Sequence, residues 1–169
     1  MNSAICLLER AAGLWGERCA LADEAESLSY AELRARSRRA ASGLLRRSGG
    51  RAPVMVWLPK SAAMVEGFCA ALYAGRPYVP TDSAAPVERL RKIISNLGPS
   101  AIVTNAELAA KLGDLDTGGA PVLLPGVGAG CLGEGDRRRG RQIRARDGDD
   151  GGRVCRRRVF LLLFDVEGG

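Results

Sequence analysis

Apolar residues recur at three- and four-residue spacing from the start of the chain. Ile5, Leu7, Leu8, Ala11, Ala12 and the pair Leu14-Trp15 predict an amphipathic first helix that stops near Gly16. The next stretch, CALADEAESLSY, alternates over short runs on either side of Asp23-Glu24, which predicts two short strands joined by an acidic turn. Ser29 and Glu32 then stand three apart ahead of a new helical period. This is the capping-box spacing, in which the hydroxyl accepts one free backbone N–H and the carboxylate another. A helix is predicted from about Tyr30 to Arg47, with Leu33, Ala40 and Leu44 on its apolar side, its arginines in water, and Ser48-Gly49-Gly50 as its end.

From residue 53 the pattern changes to short apolar runs alternating with helical ones. PVMVWLP is continuous and bounded by prolines, as a strand buried on both faces of a parallel sheet requires. Ser61 is placed to cap the following helix, AAMVEGFCAALYA, which is apolar almost all round and is therefore expected to be buried. Gly75 ends it in the left-handed conformation that disfavours other residues. PYVP is the next strand, and Asp82 or Ser83 together with Pro86 opens the helix VERLRKIISNLG. AIVT, AELAAKLG and APVLLP continue as strand, helix and strand. Such alternation predicts an α/β fold, a partial parallel sheet flanked by helices.

Composition divides the chain near Pro125. Residues 1–125 hold 15 basic and 12 acidic residues, and residues 126–169 hold 10 and 7, so the net charge of +6 is shared equally. In the second part 21 of 44 residues are Gly or Arg, and no apolar period remains. The chain has no histidine, which excludes Ser-His-Asp and Cys-His catalysis and imidazole zinc sites. Cys6, Cys19, Cys69, Cys131 and Cys155 are an odd number without a C-x-x-C pair, as expected of free, buried thiols. No apolar run, Val159 to Phe164 included, is long enough to span a membrane, and no leader pattern opens the chain, so a cytoplasmic location is expected.

LSYAEL (28–33), LYAGRPYVPTD (72–82) and PVERLRKIISNLGPSAIVT (86–104) together resemble the opening of adenylate-forming enzymes, most closely the amino-acid adenylation domains of nonribosomal peptide synthetases. The family's first motif reads roughly L-T/S-Y-x-E-L and its second roughly L-K-A-G-x-A-Y-V-P-I-D. Tyr73 stands here for the usual Lys, Pro77 for Ala and Thr81 for Ile. The resemblance covers about residues 5–125. It implies a ligase that joins a carboxylate, typically an amino acid, to AMP from ATP and passes the acyl group to a carrier-protein thiol. ATP and Mg are implied for the intact family, but its phosphate loop, ribose-binding aspartate and catalytic lysine have no counterpart in this segment. No residue is therefore assigned a catalytic, cofactor-binding or metal-binding role, and the chain as it stands is expected to be inactive.

Residues 1–125 are read as the N-terminal part of an AMP-binding domain and 126–169 as a low-complexity tail, frameshifted or disordered; its Arg, Gly and Asp content is what a GC-rich gene encodes out of frame. Gly128, Gly130 and Gly133 satisfy G-x-G-x-x-G and Asp149-Asp150 follow at a distance suited to a ribose, but no helix-forming pattern succeeds the glycines. Arg137–Arg139 and Arg156–Arg158 offer charge for a nucleic-acid backbone, diluted by Asp147, Asp149 and Asp150, so nucleic acid is not the expected partner. VFLLLF (159–164) is a segment able to pair with a sheet edge. The alternatives to a ligase segment are a noncatalytic interaction module, self-associating through its open sheet edge, and a basic-tail nucleic-acid binder.

Overall fold

The computed structural model describes residues 4–113 and 115–125, and the backbone of 133–134. α1 (Ala4–Leu14) leads into a hairpin of β1 (Cys19–Ala22) and β2 (Ser27–Ser29). α2 (Tyr30–Arg47), β3 (Val54–Trp57), α3 (Ala62–Tyr73), β4 (Tyr78–Thr81), α4 (Val87–Leu97), β5 (Ala101–Thr104), α5 (Ala106–Leu112) and β6 (Val122–Leu124) then alternate. The main sheet has the order β4-β3-β5-β6, all parallel, and β7 (Gly133–Glu134) adds an antiparallel strand on β6. The sheet thus continues past Pro125 by one short strand, through a segment whose composition predicts none. Among the described residues no helix is long and apolar enough to cross a membrane.

The alternation of side chains along each strand sorts the core into two halves. Val54, Val56, Ala101, Val103 and Leu123 face Ala40 and Leu44 of α2 and Ala70 and Ala71 of α3. Met55, Trp57, Ile102 and Val122 face Leu90 and Ile94 of α4 and Leu108 and Leu112 of α5. All four residues of β3 are at most 1% exposed, as predicted for a strand covered on both faces. α3 lies close to the sheet at Gly67, where a Cβ would stand 3.3 Å from Val56 Cγ1. A third cluster, Ala20, Leu21, Leu28, Leu33, Ala62 and Val65, fastens the hairpin to α2 and α3.

The caps read from the sequence are formed. Ser29 Oγ accepts from Glu32 N at 3.3 Å while Glu32 Oε2 accepts from Ser29 N at 2.8 Å, and Ser61 Oγ accepts from Met64 N at 3.3 Å. Gly75 has φ +69°, as the turn after α3 demands. Two expectations need correction. α4 is not capped by Asp82 or Ser83: its N-cap is Pro86, with no side-chain bond, and Asp82 Oδ1 closes a preceding turn by accepting from Ala84 N at 2.9 Å. Of the apolar positions of α1, only Ala12 is fully buried; Leu7 and Leu14 are 54% and 60% exposed.

β4 is the outer strand, and its pairing shows how that edge is blunted. Val54 N donates to Pro77 O, so in this parallel ladder the backbone groups of Val79 and Thr81 also turn toward β3. The groups of Tyr78 and Pro80 then face outward. Pro80 has no N–H to offer there, which makes this edge a poor template for a further strand.

Two polar ties cross long stretches of chain. Arg76 is 4% exposed, and among the described residues it has no carboxylate partner. Its guanidinium instead donates to Ser48 Oγ, to Ser48 O at 2.6 Å and to Ser100 Oγ at 3.2 Å. One side chain thus joins the end of α2 and the starts of β4 and β5. The second tie is Asp23, in the turn between β1 and β2. Its Oδ1 accepts from Ala25 N and Glu26 N and its Oδ2 from Ala62 N, each at 2.8 Å. Burial pushes the Asp23 carboxyl upward, but the bonds from Ala62, Glu26 and Ala25 outweigh that and hold it below its ordinary value of 3.8.

Replacing Arg76 by Ala strands the carbonyl of Ser48 and opens a void, and should cost about 3 kcal/mol in urea unfolding; Lys, which cannot fork to both serines, should recover less than half of that. Asp23→Ala should cost about 1 kcal/mol at pH 7, the usual scale of a lost helix cap. Because the folded-state value of Asp23 is depressed, its contribution is present above the unfolded value and is lost as pH falls through the folded one. The difference between parent and variant should therefore shrink as pH falls below 3.8.

Candidate functional site

In an open parallel sheet, ligands lodge beyond the carboxyl ends of neighbouring strands whose following helices leave to opposite faces. β3 and β5 form such a pair, since β3 leads into α3 on one face and β5 into α5 on the other. The last rung of the sheet there is Thr81, Trp57 and Thr104, in register on β4, β3 and β5. Trp57 Nε1 donates to Asp82 O at 2.9 Å, which fixes the indole beneath the turn after β4. Thr81 and Thr104 are 8% and 0% exposed, and their hydroxyls have no hydrogen-bond partner.

The helix starts around this crevice are the natural places for a phosphate. At α3, however, the Ala62 N–H is taken by the Asp23 carboxylate and the Met64 N–H by Ser61 Oγ. A fixed carboxylate in the anion position repels a phosphate. At α5 the Leu108 N–H is taken by Asn105 Oδ1 at 2.8 Å. Among the described residues no group of three or more Asp, Glu or Cys could hold a metal ion. The starts of α3 and α5 therefore do not fit a phosphate, whereas α4 makes no side-chain cap bond.

A second concavity, an open groove of about 380 Å³, is lined by Glu17, Cys19, Ser27, Ser29, Ala31 and Glu32. Cys19 Sγ lies 3.3 Å from Ser27 Oγ and donates to Leu21 O at 3.4 Å. Glu32 is occupied with its cap; the backbone N–H of Ser29, then its hydroxyl, holds that carboxyl below its ordinary value. Burial pushes the thiol of the half-buried Cys69 up to about 11, which disfavours its thiolate at neutral pH. The expectation of buried thiols needs correction, since Cys6 and Cys19 are exposed and Cys69 is half-buried.

Two of the positions that depart from the family motif have structural roles. Tyr73, where the motif has Lys, donates its hydroxyl to Glu9 Oε1 at 2.6 Å and so ties α3 to α1. Burial first, and then Glu9, raises the phenol well above its ordinary value. Thr81, where the motif has Ile, ends β4 with its hydroxyl buried. Of the G-x-G-x-x-G residues, Gly133 lies in β7 opposite Leu124, in an extended strand and not in a turn that opens a helix. Gly128, Gly130, Asp149-Asp150, both arginine triplets and VFLLLF lie outside the described residues. Asp23 and Arg76 are the polar groups that pattern reading missed. Their partners lie 39 and up to 28 residues away, and no local spacing signals such pairs.

Comparison with known proteins fits this scaffold. The chain is 38% identical over 106 residues to the L-proline–[L-prolyl-carrier protein] ligase of Streptomyces coelicolor, covering 61% of this chain and 20% of that protein. It is 39% identical over 80 residues to the D-alanine–D-alanyl carrier protein ligase of Bacillus velezensis, covering 46% and 16%. Among solved structures, the nonribosomal peptide synthetase FmoA3, bound to α-methyl-L-serine-AMP, superposes with a TM-score of 0.63 at 25% identity, over 69% of this chain and 13% of its own. The chain thus spans about a fifth or less of these relatives. The family model described as AMP-binding enzyme matches residues 8–135, from within α1 to the residue after β7, and this chain belongs to that family.

Proposed function

We propose that these residues are the opening portion of an adenylating ligase that, when whole, activates an amino acid or another carboxylate as acyl-AMP and delivers it to a carrier-protein thiol. The observation that carries this reading is the family match over residues 8–135, which contains both ordered motifs at the structural joints described above. Relatives named as prolyl- and alanyl-carrier ligases support an amino acid as the substrate class and a carrier protein as the acceptor. A cytoplasmic location accords with such a role.

We further infer that the 169-residue chain does not itself catalyse adenylation. Acyl-AMP formation needs backbone N–H groups and a cation placed where charge develops on the α-phosphate. The starts of α3 and α5 are already bonded to Asp23, Ser61 and Asn105. The role left to residues 8–125 is that of scaffold for parts of the site supplied elsewhere.

Two measurements test these readings separately. Amino-acid-dependent ATP–pyrophosphate exchange by the purified chain should stay at the blank level; exchange that rises with any one amino acid would overturn its assignment as inactive. Residues 8–125 grafted in place of the matching segment of the Streptomyces coelicolor prolyl ligase should preserve proline-dependent exchange. A folded, soluble chimera without exchange would sink the scaffold reading.

A further inference from the structure

α2 carries six arginines and one glutamate in 18 residues. The arginines divide into two sets. Arg34 and Arg36 point toward neighbouring elements, where Arg34 meets Glu9 at 3.7 Å and Arg36 meets Glu26 at 2.7 Å and the buried Glu66 at 4.0 Å. Arg38, Arg39, Arg46 and Arg47 are exposed, and among the described residues none of them has an ion pair.

At 3.6 residues per turn, Arg38, Ser42, Arg46 and Arg39 fall within about 100° of arc, opposite the buried Leu33, Ala40 and Leu44. They form a stripe about 12 Å long, the rise of eight residues. Leu45, 56% exposed, borders it beside Arg38. The negative end of the helix dipole favours Arg46 and Arg47 in the last turn. It gives no such return for Arg38 and Arg39 in the middle, where Arg39 acts on the buried Glu66 and Arg38 on Tyr73 only at a distance beyond an ion pair.

We propose that this stripe is a docking surface for a protein partner presenting an acidic helix. An acidic helix supplies carboxylates at the same spacing as the arginines, together with an apolar side chain to cover Leu45. Nucleic acid is the weaker match, because α2 exposes no aromatic ring for a base, and a phosphate backbone has nothing to cover a leucine. The inference rests on the charge pattern of α2 and is independent of the adenylation reading.

The test uses the whole chain and three fluorescein-labelled probes at low salt: an 18-residue amphipathic peptide with glutamates on one face, the same peptide with lysines, and an 18-base-pair DNA duplex. By anisotropy the glutamate peptide should bind, and the double variant Arg38→Glu/Arg46→Glu should weaken it by about tenfold, two charges of exposed-pair strength. The lysine peptide should prefer that variant to the parent chain. Arg38→Gln/Arg46→Gln should fall between, which keeps the result readable if charge reversal impairs folding. Changing Arg137, Arg138 and Arg139 to Gln should leave binding unaltered, since the tail carries charge of its own. Equal binding by parent and variants, dependence on the tail triplet, or tighter binding of the duplex through Arg38 and Arg46 would each overturn the proposal.

Discussion

The complete burial of β3 is the constraint on which the rest of the structure depends. Four residues, Val54 to Trp57, must be covered on both faces and paired on both edges. One face recruits α2 and α3 and the other α4 and α5. Because α3, α4 and α5 are the crossovers between parallel strands, covering β3 also fixes the strand order and sends the chain to opposite faces after β3 and β5. The crevice beyond Trp57 and Thr104 is a by-product of that arrangement.

Apolar packing cannot by itself fix how the helices are seated along the sheet, and here polar ties do so. Arg76 is a buried cation satisfied by hydroxyls and a carbonyl, which avoids desolvating a carboxylate beside it. It joins three elements at the amino end of the sheet. Asp23 acts at the opposite end, holding the hairpin over the start of α3. Glu66 is the less comfortable case: burial pushes its carboxyl above the ordinary value, and Arg36 only partly opposes that, with Glu26 adding to the rise. α2 and α3 therefore meet across a polar seam as well as an apolar one.

This division also accounts for where the family's motifs fall in the fold. Ser29 and Glu32 begin α2, Gly75 ends α3, and Asp82 shapes the turn that holds Trp57. Each of these motif residues shapes backbone geometry at a joint between elements. The motifs identify a lineage because such joints are demanding, and a joint is scaffold whatever chemistry it supports.

The sequence by itself determined the elements, the parallel sheet and the resemblance to adenylating enzymes. Caps, apolar periods and left-handed glycines act within a few residues of one another, so their energetics are complete inside a short window. It misjudged Leu7, Leu14 and the cap of α4, because whether a helical face finds a partner, or an Asp turns toward a helix, depends on what arrives from elsewhere. It also gave no sign of β7, whose two residues are held by the open edge of β6 and not by any propensity of a glycine-rich segment. Only the tertiary structure decided that Asp23 fills the anion position of α3, that Arg76 is buried without a carboxylate, and that four arginines of α2 stand unpaired in water. Charge acts through space, and the distances that set it are those of the folded chain.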